Sequence, residues 1–126
     1  MRVYKIKGFA RFQRHERIAD TALVEAIGTA ERGLVDADLG GGLIKQRIAR
    51  PGQGKSGGFR TVIAYRRSQR AVFLFGFAKN ERANIGDDEL EEWRQIGQLY
   101  LALDEQRVEA AITAQEFMEV RHGEKN

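Results

Sequence analysis

The chain has no cysteine and a single proline among its 126 residues. Without thiols there is neither a disulfide framework nor a thiolate zinc site. Its two histidines, His15 and His122, stand far apart and belong to no spaced ligand motif, so no metal site and no cofactor is expected. No run approaches the ~18 apolar residues of a membrane helix. The opening stretch MRVYKIKGFARFQRHERIAD is charged throughout and lacks the apolar core of a secretory signal. The expected setting is the cytoplasm, with no membrane partner. Glycine and proline are too few for a disordered or fibrous chain, and 42% hydrophobic residues suffice for the core of one domain spanning residues 1–126.

What the middle of the chain lacks is acid. Residues 42–82 hold ten Lys/Arg and one acid, Glu81, a net charge of +9. The segment before it is nearly balanced at +1, and residues 83–126 carry −7, so the overall +3 hides a strong polarity. A block this basic repels itself unless an anion sits on it, and nucleic acid is the expected anion. The competing reading is an exposed basic face paired with the acidic C-terminal third.

The pattern along the chain is that of an α+β protein. Val3 to Ile6 alternate loosely, as in a short edge strand, and Phe9, Phe12 and Ile18 mark a short amphipathic helix or turn. Asp20 serves as N-cap of a helix running to about Arg32, where Gly33 stops it. Leu23, Ile27, Ala30 and Leu34 recur there at helical spacing. A loop from Val35 to Gly42 then precedes three β-like runs, Leu43 to Ile48, Phe59 to Arg66 and Arg70 to Lys79. Only Arg67, Ser68 and Gln69 separate the last two, which predicts an antiparallel hairpin. The run AVFLFGFA is apolar enough for a strand buried on both faces. Between the first two runs, residues 50–58 read as a flexible glycine-rich loop. Asp87 and Asp88 open a long helix, with Glu91 at capping-box spacing and Leu90, Trp93, Ile96 or Gly97, Tyr100 and Leu101 on its buried stripe. A further helix over 104–113 and a strand over 117–120 complete the expectation.

Gly54-Lys55-Ser56 imitates the end of a phosphate-binding P-loop. The motif requires glycine five positions before the Gly-Lys pair, where Ala49 stands, and the Lys-Ser pair must open a helix rather than strand-like sequence. An NTPase is excluded on that ground. The acids Asp87, Asp88, Glu89, Glu91 and Glu92 are adequately explained by the positive end of the helix dipole.

The remaining constellation is basic. Lys45 and Arg47 lie two apart on one strand and share a face, as do Arg60 and Arg66 on the next. Lys55 rides between those strands, and Lys79 ends the third run. Four or five cations on one sheet surface would hold several phosphates, or stabilise charge on one phosphate as it is cleaved. A solvated sheet face is the bland alternative.

These residues fall in a pattern, Gly-Gly-Leu-Ile-Lys-x-Arg-Ile-Ala-Arg, Gly-x-Gly-Lys-Ser-Gly-Gly-Phe-Arg-Thr-Val and Phe-x-Phe-Ala-Lys-Asn-Glu-Arg, that resembles the RelE/HigB-type toxins of bacterial toxin–antitoxin modules, and the HigB-like branch in particular. The resemblance runs from Gly41 to about Glu91. It implies a twisted antiparallel sheet packed against N-terminal helices, with a C-terminal helix, as in microbial ribonucleases. It implies an endoribonuclease that cleaves mRNA on the ribosome by metal-independent attack of the ribose 2′-OH on the adjacent phosphate. It also implies a helix-turn-helix antitoxin as partner, with operator DNA bound only through the pair. Carried over residue by residue, Lys55, Arg60 and Lys79 are the catalytic candidates. Arg60 would be the transition-state stabiliser, and a lysine among cations the general base. Lys45, Arg47, Arg50 and Arg66 are the RNA-binding candidates. The tyrosine that some members carry shortly after the last basic strand is absent, with Asn84-Ile85-Gly86 in its place. The general acid is therefore unassigned. Two other readings of the same resemblance stay open, a ParE-like gyrase poison without nuclease activity and a non-catalytic RNA-binding domain.

Overall fold

The structure, a computed structural model, describes residues 1–50, 54–78 and 85–120, and for 54–57 the backbone alone. The elements follow the chain as β1 (Arg2–Ile6), α1 (Lys7–Glu16), α2 (Asp20–Glu31), β2 (Ala37–Gly40), β3 (Leu43–Arg50), β4 (Gly54–Arg66), β5 (Arg70–Ala78), α3 (Asp87–Ala102), α4 (Glu105–Thr113) and β6 (Phe117–Glu119). The strands form one sheet in the order β2-β3-β4-β5-β1-β6. Every pairing is antiparallel except β1 with β5, which is parallel. The protein is α+β with a mostly antiparallel sheet, and among the described residues no helix is long and apolar enough to cross a membrane.

Each face of the sheet has its own apolar layer. On one side Phe9, Leu23, Ile27, Ile44, Ile48, Phe59, Ile63 and Phe73 join the sheet to α1 and α2. On the other, Tyr4, Leu43, Val62, Ala64, Val72, Leu74, Leu101 and Val108 join it to α3 and α4. Period-two alternation decides which layer each strand residue enters. In β5 the alternation is broken at a bulge, since Val62 pairs with Phe75 while Ile63 pairs with Phe73. The extra residue puts Leu74, Phe75 and Phe77 all on the α3 side.

Several expectations are corrected. β1 is not an edge strand but sits between β5 and β6, which is why Val3 and Tyr4 are both fully buried and its alternation is blurred. Asp20 is the first helical residue rather than the cap, which is Ala19, and the Asp88–Glu91 box does not form because the α3 cap is Gly86. Leu34 continues the α2 spacing but lies beyond the Gly33 stop and is exposed. The stretch before β3 is not all loop. Ala37–Gly40 pairs with β3, and three consecutive glycines with positive φ, Gly40 to Gly42, make the turn.

The segment read as a flexible glycine-rich loop is strand from Gly54 onward, with Gly54 opposite Arg50. A register shift between Ile48 and Arg50 draws β3 close to its partner there. A Cβ on Gly58 would stand 2.1 Å from the Ile48 carbonyl oxygen, so only glycine fits. The glycines signal close backbone approach at a bulge, which sequence alone does not separate from a loop.

Candidate nucleic-acid interface

Two rows of side chains cross the centre of the sheet on the α3 side. Arg47 lies opposite Arg60, and Arg60 opposite Phe77. One step along, Lys45 lies opposite Val62, and Val62 opposite Phe75. Lys45, Arg47 and Arg60 therefore form one cationic cluster on a shared face. Directly opposed like charges are destabilising in a sheet, by up to ~1 kcal/mol.

The three cations differ in surroundings. Arg47 is 45% exposed, and its nearest acid, Asp36, approaches the guanidinium only to 4.0 Å. The same Asp36 accepts a 2.6 Å hydrogen bond from the Arg47 backbone N–H and so covers the open edge of β3. Lys45 is half-buried and without an ion-pair partner among the described residues. Arg60 is half-buried as well, and its Nη1 is cut off from solvent with no hydrogen-bond partner among the described residues. Among the described residues one other buried polar side-chain atom shares that condition, the Tyr4 hydroxyl in the α3/α4 layer. An unsatisfied buried donor on a charged group costs upward of ~1–3 kcal/mol, which the fold tolerates here.

An aromatic wall adjoins the cations. Phe75 stacks on Phe77 with ring centroids 6.2 Å apart and lies 5.1 Å from Trp93 of α3. Strict alternation would give Phe73, Phe75 and Phe77 one face. Only the bulge at Leu74 separates Phe73 from the other two. The helix bearing Trp93 is fastened at Arg94, whose Nε and Nη2 donate to the Leu39 carbonyl at 2.9 and 2.6 Å.

The other nominated residues do not join this cluster. Arg50 lies beyond the β3 bulge on the opposite side of the sheet, over the Phe59 ring at 4.7 Å and 3.7 Å from Glu16 of α1. Arg66 shares the face of Arg60 but sits six residues away, roughly 20 Å along the strand. There its Nη1 donates to the Leu101 carbonyl at 3.2 Å, beside Arg70, which donates to Tyr100 and Leu101. These two arginines close the C-terminal end of α3, where cations are favoured by the helix dipole. Lys55 belongs to the β4 backbone before Arg60, with its side chain outside what is described, and Lys79 lies outside the described residues.

The cluster thus offers two arginines and a lysine against a half-exposed aromatic edge, an arrangement suited to phosphates flanked by an unpaired base. No curated protein matches the chain. A family model described as the RelE toxin of the RelE/RelB toxin–antitoxin system matches residues 1–120. That match spans nearly the whole chain and agrees with the fold, so the protein belongs to the RelE toxin family and is the toxin of a toxin–antitoxin system, with an antitoxin as its partner.

Proposed function

We propose that the protein is an mRNA endoribonuclease acting on the ribosome in the cytoplasm, and that the face bearing Lys45, Arg47 and Arg60 is its active surface. Within the family we assign it to the HigB-like branch, on the motifs Gly54-Lys55-Ser56-Gly57-Gly58-Phe59-Arg60 and Ala78-Lys79-Asn80-Glu81-Arg82. The observation that carries the reading is the Arg60 guanidinium on the α3 side of the sheet, its Nη1 buried and unpaired among the described residues and its strand position opposite a second arginine. A fold gains nothing by burying such a group. An incoming phosphate would satisfy it.

In the proposed reaction the 2′-OH attacks the adjacent phosphorus as Lys55 or Lys79 removes its proton. The 5′ oxygen departs with a proton, leaving a 2′,3′-cyclic phosphate and a 5′-hydroxyl. Arg60, with Nη1 already shielded from solvent, meets the charge that grows on the phosphorane, where preorganised donors act most strongly. Arg47 and Lys45 hold the flanking phosphates, and the edge of Phe75 and Trp93 receives a base. The antitoxin would silence the protein by covering this face or by barring entry to the ribosome.

Primer extension on cellular mRNA after induced expression tests the reading. Discrete cleavage sites are expected with the wild type and none with Arg60→Ala. Growth arrest with intact mRNA would contradict it.

A further inference from the structure

A second cationic surface lies on the opposite side of the sheet, where net charge along the sequence conceals it. Lys7, Arg11 and Arg14 recur at i, i+4 and i+7 along α1, and Arg17 follows at its C-cap. All four are exposed, and among the described residues none has an acidic partner. The one acid of α1, Glu16, is turned to Arg50 and His15. The shallow depression beside the stripe is walled by the neutral residues Ala10, Gln115 and Met118.

This placement is unfavourable to the helix itself. Lys7 stands in the first turn, against the positive end of the dipole, and no side chain caps that end. Like charges at i,i+4 and i,i+3 repel along the helix. Bound anions would remove both penalties.

We infer that the α1 stripe binds the phosphate backbone of base-paired RNA, as a surface separate from the one that holds the cleaved strand. The choice of RNA rests on the proposed activity; the rest follows from the helix. Its aromatic residues, Phe9 and Phe12, pack inward against Phe73 and Phe59, so nothing exposed on it can stack on an unpaired base. A paired strand offers phosphates and 2′-hydroxyls instead, which is what a row of cations reads.

The test is fluorescence anisotropy of a labelled RNA duplex titrated with purified protein over a series of salt concentrations. The triple variant Lys7→Gln, Arg11→Gln, Arg14→Gln keeps good helix formers and should melt no lower than wild type. Its duplex affinity at low salt should fall tenfold or more, and its log–log salt slope should lose about 2–3 units. The charge-keeping pair Arg11→Lys, Arg14→Lys should retain most of the binding. Arg60→Ala should bind the duplex normally while failing to cleave. Unchanged duplex binding in the triple variant, or loss of binding in Arg60→Ala instead, would overturn the inference. Neither result would bear on cleavage by the sheet face, which the Arg60 variant's own activity decides.

Discussion

Arg60→Met should make the protein more stable and less active, and the two effects can be worked from the structure. The wild-type side chain leaves Nη1 buried without a partner and faces Arg47 directly across the strand pair. The first condition costs ~1–3 kcal/mol and the second up to ~1 kcal/mol. Methionine keeps an unbranched apolar stem of similar reach, so the packing of the half-buried stem survives while both penalties vanish. A gain of about 1–3 kcal/mol is expected, read as a higher urea midpoint at unchanged slope. Arg60→Ala also loses the half-buried stem, worth about 1–2 kcal/mol, and should end close to wild type. Cleavage should fall by about 10²–10³ in both variants, the usual effect of removing one preorganised donor. Arg60→Lys restores charge but not the forked donor, so its activity should be intermediate. A Met variant that is destabilised by ~2 kcal/mol, or one that cleaves at the wild-type rate, would refute the reasoning. Either would mean that the guanidinium serves the fold.

Arg66→Gln should behave in the opposite way, losing about 1–2 kcal/mol of stability with the Leu101 hydrogen bond and leaving the salt dependence of RNA binding unchanged; a shallower slope in this variant would return Arg66 to the interface. Glu31 accepts from the Tyr65 hydroxyl at 2.6 Å and the Ser68 N–H at 2.9 Å, joining α2 to the β4–β5 turn. Those hydrogen bonds, with Tyr65 foremost, hold its carboxyl below the usual value of 4.5. Its contribution is therefore complete above that value and is lost as pH falls through the lower, folded one. Glu31→Gln should be less stable than wild type at neutral pH, with the gap closing in acid unfolding curves; a constant gap would contradict the assignment. The double reversal Lys45→Glu, Arg47→Glu should weaken the antitoxin complex by about 2–5 kcal/mol for each desolvated pair lost, measured by calorimetry. Unchanged affinity would mean that the antitoxin acts by bulk and not by covering these two residues.

Helices and hairpin were legible because their signals are local. The Gly33 stop, the three-residue turn after Arg66 and the helix expected over 104–113, observed as α4, stand where the sequence puts them. What depended on distant partners was not legible. The central place of β1 follows from parallel pairing with a strand some seventy residues on, and nothing near Val3 announces it. Arg50, an even-numbered residue of β3, falls with Ile44 and Ile48 on the α1 side, so alternation itself parts it from Lys45 and Arg47. Arg66 obeys the alternation yet serves α3, because what it meets depends on where a later helix ends. Lys45, Arg47 and Arg60 came together as expected because no bulge interrupts β3 or β4 between them and the pairing is regular. The aromatic neighbours Phe75 and Phe77 needed the β5 bulge, and the stripe on α1 was masked by the acids that balance it in the count for the first third of the chain.

The chemistry of the cut ends tests the central claim most directly. Purified protein is mixed with ribosomes programmed with an end-labelled mRNA, and the fragments are probed with phosphatase and kinase treatments that distinguish their termini. Attack by the 2′-OH on a phosphate held by Arg60 predicts a 2′,3′-cyclic phosphate or 3′-phosphate on one fragment and a 5′-hydroxyl on the other, with no fragments from Arg60→Ala. Fragments ending in 3′-hydroxyl and 5′-phosphate would contradict the account, since water and not the ribose would then be the nucleophile.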